Sequence, residues 1–109
     1  MKFITKDSGE RIKYKSGFNR DLQVGKPRYD LIPPELLKRL AELYARGSEK
    51  YGDDNWRLAT GDEELKRFKA SAFRHFMQWF SNEDKDEDHA CAVAFNVFCY
   101  EWLTKHNEK

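Results

Sequence analysis

Five carboxylates lie within six consecutive positions late in the chain, which makes this segment the densest group of potential ligands in the sequence. They are Glu83, Asp84, Asp86, Glu87 and Asp88. Clusters of oxygen atoms suit Mg²⁺ or Mn²⁺, and Mg²⁺ typically binds one or two carboxylates together with substrate phosphates. Glu83 and Asp86 are three positions apart, so both would point the same way on a helical turn. The alternative is a solvated turn whose acidic residues cap the next helix.

Polar residues inside apolar patterns are a second sign of chemistry. His75 lies at the edge of the apolar face of one predicted helix, and Asp86, His89 and Asn96 share a face of the next. Burying such groups costs free energy unless each has a hydrogen-bonding partner. They predict either a polar pocket between two helices or a buried network that only fixes the register of those helices.

Several basic and aromatic residues are suited to binding a nucleotide. Tyr51 and Trp56 offer rings on which a base can stack. The basic residues that could donate to phosphate oxygens are Lys50, Arg57, Arg67 and Arg74. The sequence has no P-loop glycine motif, no CxxC or His-x-x-x-His spacing, and no ordered Ser/His/Asp or Cys/His set.

Three helices are predicted to position these residues, so the expected fold class is all-α. The first begins at the proline pair 33–34 and stops or bends at Gly47. Residues 48–61 then form a polar loop that carries large aromatic side chains, as binding loops often do. The second helix covers residues 62–80 and begins with three acidic residues.

The third predicted helix covers about residues 86–105 and is apolar almost all round from residue 90 to residue 103. A helix with this pattern is buried on every side. Two other helices of the same chain cannot cover it, so the pattern predicts a homo-oligomer whose neighbouring subunits complete the core.

The first 30 residues have a different character. Residues 1–30 predict an extended basic arm, with a short strand or hairpin near residues 11–14, in front of one helical domain over residues 31–109. Residues 1–28 carry a formal charge of +5, and residues 29–109 carry −4. The arm could contact nucleic acid, or could fold over a polyanionic ligand or a neighbouring subunit.

Composition narrows the class of protein. The chain has 109 residues, 39% hydrophobic and 15% aromatic, which suits one small folded domain. The longest uncharged run, residues 90–100, is far shorter than the roughly 20 residues that a membrane span needs. The N-terminus has no apolar signal-peptide core, and Cys91 and Cys99 lie too far apart on a helix to form a disulfide. These features predict a cytosolic protein with reduced thiols.

Three sequence stretches together resemble a known family. They are residues 25–33 (GKPRYDLIP), residues 47–56 (GSEKYGDDNW), and the pair Arg74-His75 with Trp79 four positions on. The acidic residues 86–89, which lead into residues 92–96 (AVAFN), also fit. Over residues 24–104 the chain resembles the phage dATP/dGTP diphosphohydrolases, relatives of the MazG nucleotide pyrophosphohydrolases.

The resemblance implies an all-α fold, assembly as a dimer or tetramer, and dependence on Mg²⁺ or Mn²⁺. It implies hydrolysis of a nucleoside triphosphate to a monophosphate and pyrophosphate, with the purine deoxynucleotides dGTP and dATP as the first substrates to try. In some phages this activity supports replacement of adenine by 2-aminoadenine, or depletes a competing nucleotide. A phage-encoded protein of this kind would work in the host cytoplasm.

The resemblance also implies roles for particular residues. MazG-type sites use a Glu-x-x-Glu pair followed by Glu-x-x-Asp, but this chain has only Glu83-x-x-Asp86, with His75 and Gln78 where the first pair is expected. Glu83 and Asp86 are the expected metal ligands, with Asp88 and Glu49 in reserve. His75 or His89 would orient the attacking water or pair with a carboxylate. The residues expected to bind triphosphate, base or sugar are Lys50, Arg74, Tyr51, Asn55, Trp56 and Asn96.

Two other functions remain open at this point. One is a non-enzymatic nucleotide- or nucleic-acid-binding protein that uses the basic arm, for which DNA affinity would fall steeply with salt. The other is a purely structural helical phage protein, whose melting temperature no nucleotide would raise.

Overall fold

A computed structural model describes residues 3–21 and 24–107 of the chain. It divides into two compact units, Met1–Leu31 and Ile32–Lys109. The second unit contains three long helices, so the expected all-α class is confirmed. No helix in the described part of the chain is long and apolar enough to cross a membrane.

The first unit contains a short antiparallel hairpin. Strands β1 (Arg11–Lys13) and β2 (Asn19–Asp21) pair with Arg11 opposite Asp21. Gly17, at a φ of 93° that side chains rarely adopt, closes the turn by donating its backbone N–H to the carbonyl of Tyr14. A 3₁₀ turn, Tyr29–Leu31, follows.

Helix α1 is Pro34–Tyr51, so of the two outcomes predicted at Gly47, a stop or a bend, the stop is wrong. A glycine inside a helix costs only about 1 kcal/mol, and the residues after it continue the helix. The actual end is Gly52, whose φ of 94° and ψ of 158° suit only glycine and whose N–H donates to the carbonyl of Ser48. The loop predicted over residues 48–61 is therefore shorter and covers residues 52–61, with a 3₁₀ turn at Asn55–Leu58.

Helix α2 is Asp62–Phe80, as predicted, but α3 begins later than expected, at His89, and ends at His106. Asp88 caps α3 by accepting a hydrogen bond from the backbone N–H of Cys91. Residues 81–88 are an irregular turn with left-handed backbone at Asn82 and Asp84. Asp86 is thus outside α3, so it does not share a helical face with His89, and Glu83 and Asp86 do not lie on one helical turn.

Helix α3 packs against both other helices. His75 contacts His89 whereas Lys69 lies over the ring of Tyr100, so α2 and α3 are antiparallel. Arg39 pairs with Asp88 and Tyr44 packs edge-on against Phe95, so α1 runs in the same direction as α3. Among the residues that the structure describes, the buried apolar side chains all lie on α3: Cys91, Ala92, Cys99 and Leu103.

One chain alone does not cover its apolar side chains. Phe98 of α3 is 55% exposed, and Phe80 of α2 is 69% exposed. Other large apolar side chains left open on α2 are Phe73, Phe76, Met77 and Trp79. Helix α3 was predicted to be buried on every side, and within a single chain it is not.

Candidate functional site

Two buried histidines meet where the end of α2 lies against the start of α3. The Nδ1 atoms of His75 and His89 are 2.9 Å apart, and both side chains are at least nine-tenths buried. The Nε2 atom of His89 lies 3.0 Å from the carbonyl oxygen of Asp84. Of the polar residues that the sequence places on these two helices, His75 and His89 meet here, whereas Asp86 lies outside α3 and Asn96 lies further along it.

These contacts determine which nitrogen of each ring carries the proton when the ring is uncharged. A carbonyl oxygen can only accept, so Nε2 of His89 carries the proton and donates it to Asp84. Nδ1 of His89 is then an acceptor, and it takes a hydrogen bond from Nδ1–H of His75. The lone pair of His75 is left on Nε2, 3.9 Å from Oε1 of Glu87.

The environment favours the neutral form of His75. Burial is the main cause that lowers the pKa of His75, and the nearby positive charge of Arg74 lowers it further. Glu87 acts in the opposite direction but does not outweigh them. His75 is therefore a neutral imidazole near pH 7, able to accept a proton or bind a cation at its free nitrogen.

A hollow of about 450 Å³, which we call the acidic hollow, lies beside the two histidines. Glu83 and Asp86, the expected metal ligands, both border it. Gln78 and Trp79 of α2 form another part of its wall, and Gln78 donates a hydrogen bond to the side chain of Asp84. Within the described residues neither Glu83 nor Asp86 forms an ion pair, so both carboxylates are free to bind a cation.

Asp88, a reserve ligand in the sequence analysis, is engaged in the fold. Both of its oxygens accept hydrogen bonds from the guanidinium of Arg39, at 2.7 and 3.0 Å. The bond from Arg39 is the main cause that lowers the pKa of Asp88 to about 2. In this conformation the carboxylate joins α1 to the start of α3.

A larger cavity of about 910 Å³ lies further along α3, between α1 and α2, and we call it the aromatic cavity. Its walls include the rings of Tyr44, Phe68 and Phe95. The three residues expected to contact base or sugar, which are Tyr51, Asn55 and Trp56, all border it. Ser48, Asp53, Asp54 and Glu64 add polar atoms at its margin.

Trp56 also packs against the fold. Its ring meets Trp102 of α3 edge-on, with the ring centroids 5.2 Å apart. The guanidinium of Arg57 lies about 5 Å from both indole rings. Trp56 is half-buried, so one side of the ring anchors the 3₁₀ turn and another borders the cavity.

The other expected site residues lie elsewhere. Lys50 and Glu49 are exposed on the last turn of α1, and Arg74 is exposed on α2 beside His75. None of these three borders the acidic hollow or the aromatic cavity. Asn96 is buried, donates to the carbonyl of Ala92, and borders a separate hollow of about 530 Å³ between α2 and α3.

Glu87 is the residue that sequence reasoning did not single out. One ligand atom each from His75, Glu87 and His89 lie within 4.8 Å of one another. The only signal in the sequence was its place in the acidic turn, two positions before His89. The backbone of that turn determines which carboxylate faces the histidines, and spacing alone does not reveal it.

Comparison with known proteins gives one match. The model of a protein family described as "dATP/dGTP diphosphohydrolase, N-terminal" matches residues 16–109 of the chain. No curated protein and no solved structure matches this chain.

Proposed function

The chain belongs to the dATP/dGTP diphosphohydrolase family, and we propose that it hydrolyses dGTP or dATP to the monophosphate and pyrophosphate with Mg²⁺ or Mn²⁺. The water oxygen attacks the α-phosphorus, the bond from that phosphorus to the bridging oxygen breaks, and pyrophosphate leaves. The proposal includes the role in the nucleotide pool of a phage-infected cell that the resemblance implies.

The aromatic cavity is the observation that carries this proposal. Its volume of about 910 Å³ lies within the usual range for small-molecule sites, and its aromatic walls suit a purine. Asn55 and the acidic residues at its margin can accept hydrogen bonds from the amino groups of a purine base. Tyr51 and Trp56 are proposed to contact base or sugar there.

The acidic hollow suits the phosphates and the metal. Its free carboxylates, Glu83 and Asp86, form an oxygen-only donor set of the kind that Mg²⁺ prefers. Bound Mg²⁺ would polarise the phosphates and lower the pKa of the attacking water. Phe95 of the cavity and His89 of the hollow are six residues apart on α3, about 9 Å along its axis, and the proposal requires one nucleotide to span both.

The remaining expected residues have supporting roles in this proposal. His75, whose Nε2 faces Glu87, and His89, which borders the hollow, are proposed to orient the attacking water. Two exposed basic side chains are proposed to neutralise the negative charge of the triphosphate: Arg74, next to His75, and Lys50, next to Tyr51. Each would have to move toward the phosphates to do so. Subunit association as a dimer or tetramer would cover the open apolar side chains of α2 and α3.

Kinetics of alanine variants test this arrangement. Lys50→Ala and Arg74→Ala should each raise KM or lower kcat about ten- to a hundredfold, because a charge-assisted phosphate contact is lost. Trp56→Ala should weaken nucleotide binding and also lower the free energy of unfolding by about 2 kcal/mol, because half of its surface packs on the fold. Lys66→Ala, on the exposed side of α2, is the control. If all three variants match it in kinetics, the proposed nucleotide site is wrong.

A further inference from the structure

The two buried histidines and Glu87 offer nitrogen as well as oxygen ligand atoms, whereas Glu83 and Asp86 of the acidic hollow offer oxygen alone. We propose that His75, Glu87 and His89 bind a divalent first-row transition-metal ion of the Co²⁺ to Zn²⁺ type, at a site separate from the Mg²⁺ ligands Glu83 and Asp86.

The donor set supports this assignment. Two imidazole nitrogens and one carboxylate oxygen suit Zn²⁺ and its neighbours, whereas Mg²⁺ prefers oxygen ligands alone. Three protein ligands with a further position open to solvent are the usual arrangement of a catalytic zinc site. Glu87 and His89 both border the acidic hollow, so the open position would face the space proposed for the phosphates.

The geometry needs only a small adjustment to hold an ion. Ligand atoms of a tetrahedral zinc ion lie about 3.3 Å apart, since each bond is about 2.0–2.1 Å. The two Nδ1 atoms are already 2.9 Å apart, and one atom from each of the three residues lies within 4.8 Å of the others. The side chain of Glu87 is 57% exposed, so it can rotate toward the histidines without disturbing the core.

The surroundings of His89 already resemble those of a metal ligand. Its Nε2–H donates to the backbone carbonyl of Asp84, which leaves the lone pair of Nδ1 pointing at His75. A ligating histidine commonly donates its other N–H to a carbonyl or carboxylate, and this bond fixes the ring and its tautomer. In the protein without the ion, the Nδ1–H of His75 occupies this position; when the ion binds through that nitrogen, the proton of the ring moves to Nε2.

Electrostatics favour a cation at this position. Asp84, Asp86 and Glu87 lie in the turn beside the histidines, and Asp88 is already balanced by Arg39. Arg74 of α2 and Lys85 of the turn are the opposing charges, but both side chains are exposed, and Arg74 is directed to Gln78.

Titration of the full chain with Co²⁺, in the absence of nucleotide, tests the proposal. The wild-type protein, freed of metal by a chelator, should bind one Co²⁺ per chain with a visible absorption band, and Zn²⁺ should displace it. Excess Mg²⁺ should not. His75→Gln, His89→Gln and Glu87→Gln should each weaken Co²⁺ binding at least about tenfold.

His106→Gln is the matched control, because this third histidine is exposed near the end of α3 and should leave the titration unchanged. Glu87→Gln keeps the test valid if a histidine variant fails to fold, since Glu87 is not part of the core. No Co²⁺ band in the wild type, or equal affinity in Glu87→Gln, would overturn the proposal. Because no nucleotide is present, either result leaves the proposed hydrolysis untouched.

Discussion

At the scale of single residues, Asp88 illustrates how one carboxylate of an acidic cluster becomes structural. It caps α3 and forms a two-pronged ion pair with Arg39 of α1, and only one-fifth of its side chain is exposed. Its ligand role for Mg²⁺ stays a prediction, and in this conformation that role would require Arg39 to leave.

The two contributions of Asp88 can be separated by substitution. Asp88→Ala should lower the free energy of unfolding by about 1–3 kcal/mol, because cap and ion pair are both lost. Asp88→Asn should cost about 1 kcal/mol or less, because asparagine still caps the helix. Urea unfolding at pH 7 measures both. Equal losses in the two variants would contradict the capping role.

The pH dependence of the same contact has a definite sign. The folded pKa of Asp88 is about 2, below its ordinary value of 3.8, so the carboxylate stabilises the fold above about pH 4. This contribution is lost as the pH falls from about 4 toward 2. The difference in unfolding free energy between wild type and Asp88→Asn should therefore shrink across that interval.

Residue types and spacing predicted part of the candidate site. The convergence of His75 and His89 follows from helical periods on two adjacent helices, which the sequence displays. The contact with Glu87 depends on left-handed backbone at Asn82 and Asp84, which no pattern of residue types specifies. Asn96 and Asp86 do not share a helical face because α3 begins at His89, later than the sequence predicted.

At the scale of elements, glycine has opposite effects at two positions of α1. Gly47→Ala should raise the free energy of unfolding by about 0.5–1 kcal/mol, because the helix continues there and an added Cβ meets nothing within 4 Å. Gly52→Ala is the matched comparison and should cost about 1–3 kcal/mol, because its backbone conformation suits only glycine. Thermal unfolding of the two variants measures the difference. A destabilised Gly47→Ala protein would show that α1 ends at Gly47 after all.

Helix type was easier to predict than helix ends. The apolar periods and the acidic start predicted α2 closely, because they reflect burial and the helix dipole. The end of α1 and the start of α3 were misplaced because capping is decided by local backbone angles at Gly52 and Asp88. Both errors moved site residues: Glu49, Lys50 and Tyr51 onto a helix, and Asp86 off one.

At the scale of the whole molecule, the open apolar side chains predict self-association. Phe98 is 55% exposed on α3, in a helix that is apolar almost all round, and several large side chains of α2 are also open. Large apolar side chains left open to solvent in this number commonly belong to an interaction surface. The proposed occupant is a second copy of the chain.

Sedimentation of charged variants tests this association. The wild type should sediment as a dimer or tetramer at micromolar concentration, and Phe98→Glu should shift it toward monomer, because a charge replaces an apolar contact. Phe18→Glu is the matched control, since Phe18 has the same exposure but lies in the N-terminal hairpin. A folded wild-type monomer would contradict the prediction, as would equal dissociation in both variants.

The reaction proposed for this chain is the conversion of a purine deoxynucleoside triphosphate to its monophosphate and pyrophosphate. The most direct measurement incubates the purified protein with Mg²⁺ or Mn²⁺ and each of the eight common nucleoside triphosphates, and quantifies monophosphate, pyrophosphate and phosphate. We expect dGMP or dAMP and pyrophosphate in equal amounts, with turnover strongly reduced in Glu83→Gln and Asp86→Asn but not in the surface control Glu101→Gln. Absence of turnover with all eight nucleotides, or release of single phosphates without pyrophosphate, would contradict it.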